Sequence, residues 1–156
     1  MILGKRLLLV AGLSIVLFGC REPKNYFSER KTEREIDGLI ELPVSEVDLS
    51  QVKASGWSRV CVMGPYSDNE VAKTLLGFPW DMEAASKVEL YDDVTLLAFV
   101  TEDDVVIHVD YPRAKGDFSE LGYVCINRNQ AIVLKRSRQD GRLGFALDVP
   151  SSEPFD

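Results

Sequence analysis

From Leu7 to Phe18 the chain is apolar at every position but Ser14, and no later run is as long. Lys5 and Arg6 precede it, with no anion among residues 1–6. A short cationic stretch followed by about 7–15 apolar residues is the layout of a secretory signal peptide. A membrane-spanning helix requires roughly 20. Residues 21–42 then change character, with charges of both signs and few apolar positions before Leu39-Ile40. Such a stretch reads as a solvated tether, within which Ser28 to Ile36 has the makings of a polar helix. Leu42-Pro43-Val44 opens a folded body that continues to Pro150, with residues 151–156 as a tail.

Inside that body the pattern alternates between strand and helix periods. Trp57 to Met63 is apolar on both faces around Val60-Cys61-Val62, as a covered central strand requires. Gly64-Pro65-Tyr66 breaks it. A helix is then predicted, with Ser67 as cap, Glu70 completing a capping box and Tyr66 stapled onto Val71. Val71, Ala72, Leu75 and Leu76 form its apolar stripe; Gly77 and Pro79 end it. Phe78 to Ser86 predicts a second short helix opened by Pro79. Val94–Val100 and Val105–Tyr111, separated by Glu102-Asp103-Asp104, predict an antiparallel hairpin. In its second strand Val105, Ile107, Val109 and Tyr111 share one face, and Val106, His108 and Asp110 the other, wetter one. Residues 112–122 read as a polar loop around Phe118 and Leu121. Tyr123 to Ile126 brings Cys125 toward the first strand, and 131–136 with 143–149 predict a closing hairpin. The expected fold class is α+β: a small antiparallel sheet of about five strands with one short packed helix.

Leu17-Phe18-Gly19-Cys20 closes the apolar run, and here the chain resembles bacterial lipoproteins, whose signal peptides end in such a lipobox. The resemblance covers residues 1–21. It implies diacylglycerol on the Cys20 thiol, cleavage between Gly19 and Cys20, and acylation of the new amine. Two or more acyl chains hold a protein stably on a membrane where one does not. It also implies a place in the cell envelope. Residue 21 is Arg rather than the Asp that marks inner-membrane retention, so an outer-membrane anchor facing the periplasm is expected.

Cleavage leaves 137 of 156 residues, 16 basic and 25 acidic, which is one domain's worth of chain. Both the acidity and the compartment argue against a nucleic-acid partner. With Cys20 lipidated, Cys61 and Cys125 remain. Two cysteines in an oxidising compartment read as a disulfide, with a metal pair or two free thiols as the alternatives. The chain has one histidine and no Cys-x-x-Cys, so no metal site is expected, and no cofactor beyond the acyl chains.

Chemistry is sparse. His108 and Asp110 stand two residues apart on one strand face, the only acid–base pair to weigh, and no serine or thiol sits in a nucleophile turn. Residues 81–120 hold 11 carboxylates against Lys87, Arg113 and Lys115, without the spacing of a calcium loop. The last hairpin has a basic tip of Lys135, Arg136, Arg138 and Arg142. The expectation is a non-catalytic envelope lipoprotein that meets the membrane through its anchor and presents a small domain to a protein partner. A narrower version is an immunity or inhibitor lipoprotein that blocks a toxic or lytic periplasmic enzyme. A hydrolase acting on wall or lipid through His108 and Asp110 is the alternative of another class.

Overall fold

The computed structural model describes residues 24–147, so the signal segment, Gly19, Cys20 and the tail 151–156 lie outside it. The fold is α+β, with seven strands in two antiparallel sheets. A three-stranded sheet has the order β1 (Glu46–Asp48), β6 (Ile132–Ser137), β7 (Leu143–Leu147). A four-stranded sheet has the order β4 (Val105–Pro112), β3 (Val94–Val100), β2 (Arg59–Met63), β5 (Val124–Asn127). Both expected hairpins form, β3–β4 and β6–β7. The single sheet of about five strands becomes two because β1, too short to read from alternation, pairs with β6 and splits the closing hairpin from the rest.

The four-stranded sheet separates two cores. One contains Val60, Val62, Leu97, Phe99, Val109 and Tyr111 against Val47, Val133, Phe145 and Phe118. The other contains Cys61, Met63, Leu96, Ala98 and Val100 against two helices, α2 (Asn69–Leu76) and α3 (Met82–Ala85). This is why β2 and β3 carry no polar face. Successive side chains point to opposite sides, and both sides are covered. The loop read as polar wraps around Phe118, which is fully buried and stacks on Phe145 at a centroid distance of 4.0 Å.

Two local expectations shift. The cap of α2 is Asp68, whose Oδ1 accepts from the Val71 N–H at 2.9 Å. Ser67 instead donates its hydroxyl to the Gly64 carbonyl at 2.6 Å and is buried. With the cap moved one residue on, Tyr66 is not stapled under the helix and stays 67% exposed. The C-terminal reading holds: Gly77 is left-handed (φ 83°) and its N–H reaches the Lys73 carbonyl. Asp68→Ala is expected to cost about 1 kcal/mol, as loss of a cap does, read as a lower urea midpoint with unchanged slope. The second helix is shorter than expected, Met82–Ala85, and is capped by Asp81.

The larger correction falls within the tether, residues 20–42, of which 24–42 are described. From Lys24 to Glu41 this stretch is an 18-residue helix, α1, which packs on the domain rather than hanging from it. Ile36 is fully buried in the first core, with Leu39 and Ile40 beside it. The rest of the docking is polar. Glu29 meets His108 at 3.2 Å, and Glu33 and Asp37 both accept from Lys115 at 2.8 Å. Asp37 also accepts from the Tyr111 hydroxyl, and Glu35 from the Lys53 N–H. Lys135 Nζ closes the end of α1 by donating to the carbonyls of Ile40 and Leu42. The acids that made this stretch look like spacer sit at Glu29, Glu33 and Asp37, four residues apart, and line one helix face. No described helix is long and apolar enough to cross a membrane.

Candidate functional site

Cys61 and Cys125 are joined in a disulfide. They are directly opposite partners in the β2–β5 register, on the face that α2 covers, where Cys125 Sγ lies 3.5 Å from the Leu75 carbonyl. The bond ties the first central strand to the edge strand that follows the long polar loop.

His108 and Asp110 share the second core's side of β4, as expected, but each is held by a different partner. His108 Nε2 lies 3.1 Å from the Ala85 carbonyl and 3.2 Å from Glu29 Oε1, and the ring packs against Trp80. Asp110 accepts from Ser86 Oγ at 2.5 Å and from the Lys87 N–H at 2.9 Å. The serine near this pair therefore bonds to the carboxylate and not to the imidazole. The face is drier than alternation suggested because α3 and its exit loop lie across it. Together these bonds pin residues 85–87 onto β4.

The acidic middle and the basic tip meet at Asp117, whose side chain is fully buried. Arg113 grips it with two bonds, Nε to Oδ1 at 3.0 Å and Nη2 to Oδ2 at 2.8 Å. Arg138 Nη1 adds a third at 2.9 Å, and Ser119 donates both its N–H and its hydroxyl. Burial pushes the Asp117 carboxyl up, but the bonds from Arg113 and Ser119 outweigh it and bring it down to about 2. Arg138 also pairs with Glu120 and Asp140, and Arg142 with Asp140. Two of the four tip cations, Arg138 and Arg142, are thus spent on carboxylates of the chain, and Lys135 on the end of α1. The hairpin tip is a structural clasp rather than a free cationic patch. Burial, then the bond to Asp37, raises the Tyr111 hydroxyl above its ordinary value. Among the described residues no group of three or more His, Cys, Asp or Glu is placed to hold a metal ion.

A different set of residues stands out at one end of the four-stranded sheet. Past the end of β2, Tyr66 has φ 64°, the one non-glycine residue with positive φ among those described. A bulky side chain held left-handed costs on the order of 1–2 kcal/mol, a strain that concentrates at functional positions. The Tyr66 N–H is bonded to the Val88 carbonyl, so its turn lies against residues 87–93, where Leu90 and Tyr91 are 71% and 51% exposed. Tyr123, 58% exposed, precedes β5 at the same end and forms a groove with Val71 and Leu75 of α2, rimmed by Asp68 and Glu70. The sequence pattern alone marks none of the four as a surface feature: it gives Tyr66 to a staple, opens the Cys125 segment at Tyr123, and places Leu90 and Tyr91 in no element. The one available signal was large apolar residues in polar loops, visible at Leu90-Tyr91 between Glu89 and Asp92.

No protein-family model, no curated protein and no solved structure matches this chain.

Proposed function

We propose that this protein is a lipid-anchored envelope protein that presents a small, rigid, non-catalytic domain to a protein partner on the periplasmic side, from the outer membrane. The observation that carries the reading is the Cys61–Cys125 disulfide. A cross-strand disulfide suits an oxidising compartment and not a reducing one, and this agrees with an export signal cleaved ahead of Cys20. The anchor then supplies location through diacylglycerol and N-acyl chains on Cys20, and the domain supplies recognition. Exposed tyrosines on strained or loop backbone support a binding role, because Tyr is enriched where proteins dock. His108, Asp110 and Asp117 have structural work in the bonds described above. Within this reading, an immunity or inhibitor protein that covers a harmful envelope enzyme is favoured by the acidic rim around those tyrosines.

Cys20→Ser with fractionation tests the anchor. The parent is expected to sediment with outer membranes and to take up radiolabelled palmitate, while the variant is soluble and unlabelled. A variant that sediments as the parent does, with an unlabelled parent, removes the anchor. Affinity capture of the tagged, solubilised protein from envelope extract tests recognition. One stoichiometric protein companion is expected, and its absence counts against a protein partner.

A further inference from the structure

We infer that the end of the four-stranded sheet bearing Tyr66, Leu90, Tyr91 and Tyr123 is the docking surface, and that its occupant is a protein surface rich in Lys and Arg. This rests on the protein-binding reading above and names the surface and the chemistry of the partner.

Three observations converge on this end. The first is composition and backbone. Three tyrosines and a leucine, each more than half exposed, sit on two adjoining loops and beside the α2 groove. Tyr66 is held out by a left-handed backbone that nothing in the turn's own packing requires of a tyrosine, since Ser67 and the Val88 carbonyl make the turn's bonds. Tyr offers a large, rigid contact at low entropic cost, and its ring faces attract cations.

The second is charge. Exposed Asp68 and Glu70 rim the groove, and exposed Asp92 and Asp93 follow Tyr91. Exposed Lys87 and Lys73 flank these four carboxylates, while Arg113 and Arg138 are committed to Asp117 and Arg113 also to the Asp92 carbonyl, so the exposed balance at this end is acidic by four to two. A net acidic margin beside an aromatic centre complements a cationic margin beside an aliphatic or aromatic knob, and disfavours anionic lipid headgroups.

The third is direction. Helix α1 meets His108 midway along β4 through Glu29, then Tyr111 and Lys115 at the end of β4 through Asp37. It therefore climbs toward the tyrosine end, and its Lys24 start lies toward the other. A chain anchored ahead of Lys24 presents the tyrosine end away from the membrane, where a protein and not the bilayer is met.

The test is site-specific photo-crosslinking in the living bacterium, using the full lipidated chain. A photoreactive phenylalanine analogue is placed at Tyr66, Tyr91 or Tyr123, and at the exposed control positions Ile132 and Val106. Protein adducts are expected at the three tyrosine positions and not at the controls. The adduct should be a protein of basic isoelectric point and should diminish at least tenfold in Asp68→Asn/Glu70→Gln. With the purified companion, Tyr66→Ala and Tyr123→Ala should each weaken affinity at least tenfold without lowering the melting temperature. Protein adducts confined to the controls overturn this surface while leaving a protein partner in place. Lipid adducts at the tyrosines, or an acidic partner insensitive to the carboxylate changes, overturn the occupant. No adduct at any position overturns both this inference and the protein-binding reading.

Discussion

Asp117→Ala is expected to lower folding stability by about 3 kcal/mol or more, within the range for breaking one side of a buried ion pair. Asp117 receives two bonds from Arg113, one from Arg138 and two from Ser119, with no part of its side chain exposed. Removing it leaves two guanidiniums, each about a fifth exposed, facing one another without their shared anion. It also unties the loop before Phe118 from Arg138 at the tip of the β6–β7 hairpin, leaving only the backbone bridge between Asp117 and Gly144. Loss of that clasp should reach the stacked Phe118–Phe145 pair and with it the first core.

The same carboxylate predicts a pH dependence. Its value is about 2 in the folded protein against 3.8 as the ordinary value, so it is depressed by folding. A depressed group stabilises above its unfolded value and loses that contribution as pH falls through the folded one. The contribution is about 2 kcal/mol, present above pH ~4, mostly lost by pH ~2 and gone below that. Urea unfolding followed by tryptophan fluorescence at pH 7, 4 and 2 reads it. The parent should lose that increment on acidification, and Asp117→Asn, already weaker at pH 7, should lose correspondingly less. Equal acid losses in both proteins would refute the role assigned to Asp117.

The second large effect belongs to the disulfide. Cys61 and Cys125 are 64 residues apart in the chain. In the chain-entropy treatment, closing a loop of that size removes about 4 kcal/mol of freedom from the unfolded state. Dithiothreitol should therefore lower the unfolding free energy of the parent by about 4 kcal/mol, read as a lower urea midpoint, and leave Cys61→Ala/Cys125→Ala unmoved. Thiol titration of the unfolded, unreduced, lipidated protein should find no free sulfhydryl. Two free thiols, or a midpoint insensitive to reductant, would show that the crosslink does not form.

The sequence carried the central strands and the pairing of cysteines well, for physical reasons visible in particular residues. Val60 to Met63 and Val94 to Val100 are apolar on both faces because both faces are buried, and no solvated arrangement tolerates them. Cys61 and Cys125 lie on segments that the pattern brings together, and the structure joins them. What alternation and composition misjudged were positions where polar groups carry the contact. Glu29, Glu33 and Asp37 look like spacer until His108, Lys115 and Tyr111 face them. Arg138 looks like a free cation until Asp117 lies beneath it. His108 and Asp110 look like an acid–base pair until the 85–87 backbone takes their bonds.

The chain by itself determined the apolar run ending at Cys20, the α+β class, two hairpins and the two thiols that join. Apolar periodicity and residue type are local properties, and the run, the hairpins and the class follow from them, while the meeting of the two sulfurs also needs the β2–β5 register. Only the tertiary structure decided that 24–41 packs as a helix, that the strands divide into two sheets, that Arg138 and Arg142 of the basic tip meet carboxylates, and that Tyr66, Leu90, Tyr91 and Tyr123 share one end. A polar side chain's role depends on which partner reaches it across the fold. That partner is brought there by the packing of residues far away in the chain.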